Sequence, residues 1–209
     1  MEFIQYISKN FTDLLSLTGT HILLVVAGIC LALIIGFPLG IIAAKFEKAA
    51  PVILSLTNVL QLIPSIAMLA VLMLYFGLGN LTMTFGICLY SLMPIVRNTY
   101  VGIKEVKAGI LEAGVGIGMT SMQVLTKVQI PLSIPFLMAG LRVAVVIAIS
   151  VACLGPYIGA GGLGVEIVSG ISTLDTTKIY SGVIPAALLA IIADFVLGKI
   201  ENKTKKRLA

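Results

Sequence analysis

Charge is what this sequence has least of. Of its 209 residues 11% are charged and 59% hydrophobic, and the mean hydropathy is +1.13. Soluble domains carry about a quarter charged residues. The composition therefore excludes a soluble globular enzyme, a disordered chain and a collagen-like or coiled-coil rod. Tryptophan is absent, aromatic residues make up 7%, and there is 1 histidine. A single histidine excludes a His-rich metal site. A Ser-His-Asp site would have to use His21, at the end of an apolar stretch, where anchoring at a membrane interface explains it better. Cys30, Cys88 and Cys153 all fall in apolar stretches without a CxxC pair. An odd number of buried cysteines speaks for packing, not for a disulfide framework. No GxxxxGK[ST] occurs, so the chain cannot cradle ATP in that way. We expect no metal site and no catalytic residues.

What the sequence has is apolar length. A helix needs about 20 mainly apolar residues to cross the hydrocarbon core. Residues 21–44 hold no Lys, Arg, Asp or Glu, and neither do residues 49–96, which are long enough for two crossings. The break between those two falls at Phe76-Gly77-Leu78-Gly79-Asn80, where turn-forming residues cluster. Arg142 is the only charge in 128–165, and Asp194 the only one in 179–198. The spacing predicts an all-α polytopic membrane protein forming one transmembrane domain over 1–209. Its five spans are expected at about 21–44, 52–75, 81–96, 133–154 and 179–198.

Basic residues mark the cytoplasmic side of a membrane protein. Segments 45–51, 97–132 and 199–209 together hold 11 Lys and Arg; segments 1–20, 76–80 and 155–178 hold only Lys9 and Lys178. The N-terminus is thus expected outside and the C-terminus inside. The net charge of +5 becomes an orientation signal and not a nucleic-acid one. The basic tail can also touch anionic lipid heads. The first 20 residues contain Glu2, Lys9 and Asp13 and lack the apolar core of a secretory signal, so the first span is expected to be retained.

A charge at membrane depth is costly and normally finds protein, water or a partner. Arg142 and Asp194 should lie at similar depths, on the same half of the membrane. A structural ion pair is the expected arrangement; a part in substrate passage, or pairing across a subunit boundary, stays open. Asn58 and Gln61 put amides into the second span, where they either bond to a neighbouring helix or line a pathway. Gly159-Ala160-Gly161-Gly162-Leu163-Gly164 fits GxGxxG, but that pattern signals a dinucleotide only between a strand and a helix. After a membrane span it reads as a compact outer turn built on Gly159, Gly161, Gly162 and Gly164.

The most informative segment is the inner connection 97–132. Two short helices fit it, one from Thr99 to Ala113 and one from Ser121 to Ile130, with Gly114 to Gly118 between them and Thr120 or Ser121 as a cap. Glu112-Ala113-Gly114, Gly118 and Val128-Gln129-Ile130-Pro131 resemble the EAA loop of ABC-importer permeases. That family's pattern is Glu-Ala-Ala, three residues, Gly, nine residues, then Ile-x-Leu-Pro, and every spacing is matched. Gly114, Val128 and Ile130 depart from it while keeping small or apolar character. Gln61-Leu62-Ile63-Pro64-Ser65, Pro94-Ile95-Val96-Arg97-Asn98-Thr99 and the GAGGLG turn are similar to permeases for the osmoprotectants glycine betaine, carnitine and choline. The turn by itself also suits methionine-type permeases.

The resemblance implies a methionine-permease-like type I ABC importer fold in a bacterial cytoplasmic membrane. Two permease subunits, the same or paralogous, would form the pore. A cytoplasmic ABC ATPase would bind ATP and magnesium and dock on Glu112, Ala113, Gly114, Gly118, Ile130 and Pro131. An extracytoplasmic binding protein, expected as a separate chain, would deliver the small solute. An amino-acid importer of the methionine type is the alternative. An intramembrane enzyme lacks a nucleophile pair, and a passive channel would need no Glu112 platform.

Overall fold

The computed structural model describes residues 2–208, and no strand occurs among them. In chain order the helices are α1 (Glu2–Lys9), α2 (Phe11–Lys45), α3 (Ala50–Leu62), α4 (Ser65–Phe76), α5 (Asn80–Lys104) and α6 (Ala108–Gly116). They continue with α7 (Ser121–Val124), α8 (Ile130–Ala152), α9 (Gly164–Thr173) and α10 (Thr176–Leu208). A π-helical turn, Leu125–Gln129, fuses α7 to α8, and a 3-10 turn, Gly155–Ile158, precedes α9.

The bundle is organised around α5. Small residues on its neighbours let backbones approach closely, which is how membrane helices pack when lipid removes most of the hydrophobic drive. On α2 the stripe is Gly28, Ala32, Gly36 and Gly40, spaced by four and so on one face. A Cβ on Gly40 would lie 2.5 Å from Cβ of Thr99, and one on Gly36 would lie 3.0 Å from Ile95. On α8, Gly140 meets the Pro94 carbonyl in the same way, at 2.6 Å. Met83, Ile87 and Ile95 of α5 and Ala144 and Ala148 of α8 form the fully buried centre. Large apolar side chains such as Leu23, Ile34, Leu74 and Ile191 cover the outside. An apolar surface of that extent suits lipid or a partner subunit and not water.

Three helical runs are long and apolar enough to cross a membrane: Phe11–Lys45, Ser121–Ala152 and Thr176–Lys206. The pair α3 and α4 makes a fourth if it counts as one crossing bent by 101°. The count by length and apolarity is therefore three or four, where the sequence suggests five. With the bent pair counted as one crossing, the difference is α5, the expected third span. It has 25 residues, enough to cross, but polar Thr82, Ser91, Asn98 and Thr99 lie along it. Its burial at the centre of the bundle tolerates a composition that lipid would not.

The expected second span, 52–75, is broken at Ile63–Pro64. Pro64 has no N–H and disfavours helical geometry at Ile63. The break is held to α5 from both sides. Gln61 Nε2 donates to the Tyr90 carbonyl at 3.1 Å, and the Tyr90 hydroxyl donates to the Ile63 carbonyl. The first span also starts ten residues earlier than expected, at Phe11. Asp13, Gly19 and several hydroxyl residues dilute the hydropathy there without stopping the helix.

Candidate functional site

The connection after α5 is shorter than its sequence suggests. Thr99, Gly102 and Ile103 are buried in the last turns of α5, so this part of the expected first loop helix belongs to that span. The chain breaks only at Glu105–Lys107, and α6 then runs through Gly114 to Gly116. Gly114 therefore does not end the helix. It is buried because Met119 and Val124 fold back over it, at 3.3 and 3.6 Å from a would-be Cβ. The reversal comes at Gly118, whose φ of +85° only glycine adopts without strain. Thr120 caps α7 with a reciprocal capping box. Gln123 N donates to Thr120 Oγ1 at 3.4 Å, and Thr120 N donates to Gln123 Oε1 at 2.8 Å.

The second expected loop helix is no separate unit. It runs through the π-turn into α8, leaving Ile130 and Pro131 in the first turn of that span. Gln129 Nε2 reaches back to the Ile103 carbonyl at 3.4 Å. What projects from the bundle is α6 with its turn. Glu112, Ala113, Val115 and Ile117 are exposed there, Ile117 by 82%. Among the described residues Glu112 has no hydrogen-bond or ion-pair partner.

The structure brings Arg142 and Asp194 together across α8 and α10. Arg142 Nη2 donates to Asp194 Oδ2 at 2.7 Å, and Nε donates to Oδ1, a two-pronged pair. A third member was missed by the sequence reading: Glu201 Oε2 lies 3.6 Å from Arg142 Nη1. Asp194, Gly198 and Glu201 are spaced by four and three and share one face of α10. Gly198 leaves room for the guanidinium, which would sit 3.3 Å from a Cβ at that position. Glu201 was hidden because it stands among the lysines of the basic tail.

At the opposite end of the bundle, the GAGGLG segment is a tight turn. Ala160 N donates to the Gly155 carbonyl at 2.9 Å, and Gly79 N to the Ile158 carbonyl at 2.8 Å. Gly161 N donates to Asn80 Oδ1 at 3.0 Å. Gly159 and Gly162 have φ of +71° and +103°, and Gly164 packs directly on the Cys153 carbonyl. Gly162 covers His21, whose Nδ1 lies 3.1 Å from a would-be Cβ. His21 is therefore fully buried and not an interfacial anchor. Beside the turn, Glu166 accepts hydrogen bonds from the Tyr6 hydroxyl at 2.8 Å and Ser181 at 3.2 Å, tying α1 to α9 and α10. Burial and then the bond to Glu166 push the Tyr6 hydroxyl up to about 12.

Asn58 and Gln61 part company. Gln61 braces the break after α3, whereas Asn58 lines a cleft of about 440 Å³ between α3 and α5, with Leu54, Ser55, Met93, Arg97 and Tyr100.

A helical bundle centred on one span, with a broken helix beside it and a short helix projecting from one end, has the fold of type I ABC importer permeases. The chain belongs to the family of binding-protein-dependent transport system inner membrane components, whose sequence profile matches residues 36–206. It is 47% identical to the glycine betaine/carnitine/choline transport system permease protein OpuCD of Bacillus subtilis, over 97% of this chain and 90% of that protein. It is 44% identical to the carnitine transport permease protein OpuCD of Listeria monocytogenes, over 96% of this chain and 91% of that protein. Against the choline transport system permease protein OpuBD of Bacillus subtilis the identity is 43%, over 96% and 89%. Among solved structures it is similar to an inward-facing MetNI methionine ABC transporter, with a TM-score of 0.83 at 20% identity, covering 91% of this chain and 95% of that one. It is also similar to an amino acid ABC transporter, with a TM-score of 0.76 at 18% identity, covering 100% and 99%. These two likenesses concern the fold. The chain is thus a multi-pass membrane permease.

Proposed function

We propose that this permease is the pore subunit of an ATP-driven importer for small quaternary ammonium solutes of the glycine betaine, carnitine and choline kind. The observation that carries this reading is the 47% identity, spread over 97% of the chain, to a permease named for those solutes. The methionine-type alternative rests on a shared fold at 20% identity, which does not reach the solute. A second permease subunit completes the pathway, and a cytoplasmic ATPase binds ATP and magnesium. The exposed α6 with Glu112 and Gly118 docks in a groove of that ATPase, because the chain holds no nucleotide motif and work must arrive across a protein contact. A binding protein delivers solute at the opposite end, over the GAGGLG turn, which puts the N-terminus outside the cell.

The test is uptake by the complex reconstituted in proteoliposomes with its ATPase and receptor. Glycine betaine, carnitine or choline should accumulate only when ATP and receptor are both present, and methionine should not. Accumulation of methionine in place of the quaternary amines would overturn the assignment.

A further inference from the structure

Arg97 stands just after a span in the sequence, yet in the structure α5 runs on beyond it to Lys104. Seven residues at 1.5 Å each put it about 10 Å inside the helix end. It is exposed, and among the described residues no carboxylate lies within ion-pair distance of it. Arg142 differs: its guanidinium is already engaged by Asp194 and Glu201.

The surroundings of Arg97 are equally unsuited to lipid. On the facing side of the cleft, Ser55 and Asn58 of α3 are exposed, and the same helix ends at the Ile63–Pro64 break. Irregular backbone and unpaired charge at membrane depth occur where protein or a water-filled cavity replaces lipid. The cleft of about 440 Å³ gives the Arg97 guanidinium such a place, and its lining combines two chemistries. A free guanidinium offers a planar fork of donors matched to a carboxylate. The Tyr100 ring offers a π-face of the kind that attracts a quaternary ammonium group.

We infer that this cleft is a transit site for a zwitterionic quaternary amine. The solute's carboxylate sits on Arg97, with Asn58 and Ser55 as additional polar partners. Its methylated cationic head packs on Tyr100, Met93 and Leu54. A site with one charged anchor and an open mouth holds its ligand weakly, as passage requires, since a transported species must also leave. This rests on the solute class proposed above, and it adds that the permease itself separates carboxylate-bearing solutes from choline, which has none.

The experiment compares uptake of glycine betaine and choline by the complete reconstituted complex. Arg97→Gln should lower betaine uptake relative to choline by about tenfold. Arg97→Lys should fall between, since an ammonium keeps the charge but loses the fork. Asn58→Asp sets a carboxylate beside Arg97 and should reproduce the selective loss with the arginine in place, which covers a failure of Arg97→Gln to assemble. If the parent carries only the carboxylate solute, the readout is loss of that uptake in both variants. An unchanged betaine-to-choline ratio in Asn58→Asp and Arg97→Gln overturns the site, as does a parent that carries choline alone or uptake of the carboxylate solute at the parent rate. A parent complex that moves no quaternary amine overturns the proposed function instead.

Discussion

Arg142 shows how one charge becomes tolerable in an apolar helix. Its guanidinium lies over Gly198 between Asp194 and Glu201, so its donors are met on two sides. Removing one member of a charge cluster leaves the others uncompensated. Arg142→Gln strands two carboxylates, while Asp194→Asn still leaves Glu201 on the arginine. We therefore expect Arg142→Gln to lower the thermal stability of the purified complex more than Asp194→Asn. The double variant should recover part of the loss, and strictly additive effects in the cycle would reject coupling. Glycines give a second contrast. Gly162 combines a positive φ with contact on His21, so Gly162→Ala should cost about 1–3 kcal/mol. Gly19, inside α2 with nothing within 4 Å of a Cβ, is the control. Gly19→Ala should be stabilising by about 0.5–1 kcal/mol in the same unfolding measurement.

The α6 helix carries the coupling argument. It is short, exposed and bounded by the Glu105–Lys107 break and the Gly118 turn, and Ile110, Val115, Ile117 and Met122 present apolar surface. Such surface at the end of a bundle suits the docking proposed above. Glu112→Ala and Gly118→Leu should leave solute binding to the isolated receptor intact, while ATP hydrolysis stimulated by loaded receptor and solute uptake fall together. Parent-level hydrolysis and uptake in both assembled variants would remove α6 from the coupling path. Much of this helix was legible in the sequence, because the spacing of Glu112, Gly118 and Pro131 is local and survives whatever the surroundings do. Its limits were not. Thr99, Gly102 and Ile103 look like loop residues until α2 and α8 bury them. Gly114 looks like a helix end until Met119 covers it. Contacts between distant residues left no local signal at all: Tyr6 meets Glu166 across 160 positions, and Arg142 meets Glu201 from a different helix.

Across the entire bundle, the connecting segments sort into two ends. At the α6 end, Lys104 faces Glu47 at 3.7 Å, and Lys45 lines a small cleft with Ser121 and Leu125. At the other end, the turn after α4 bonds to the turn after α8, and α1 is tied to α9. Two groups of segments are what a chain crossing a membrane back and forth produces, and the basic residues crowd one of them. Of the 14 Lys and Arg, 10 belong to the segments 45–51, 104–132 and 199–209. A bias of that size orients a membrane protein with its basic side in the cytoplasm. Single cysteines settle the orientation, in a background where Cys30, Cys88 and Cys153 are replaced. Lys104→Cys stands at the α6 end, and Leu174→Cys replaces a side chain that is 88% exposed at the other. In intact cells a membrane-impermeant maleimide should label Leu174→Cys and spare Lys104→Cys. Permeabilised cells should then label both, which shows that the spared thiol is reactive. Labelling of Lys104→Cys from outside, with Leu174→Cys protected, would invert the topology and carry the ATPase-docking and receptor-docking assignments to the wrong sides of the membrane.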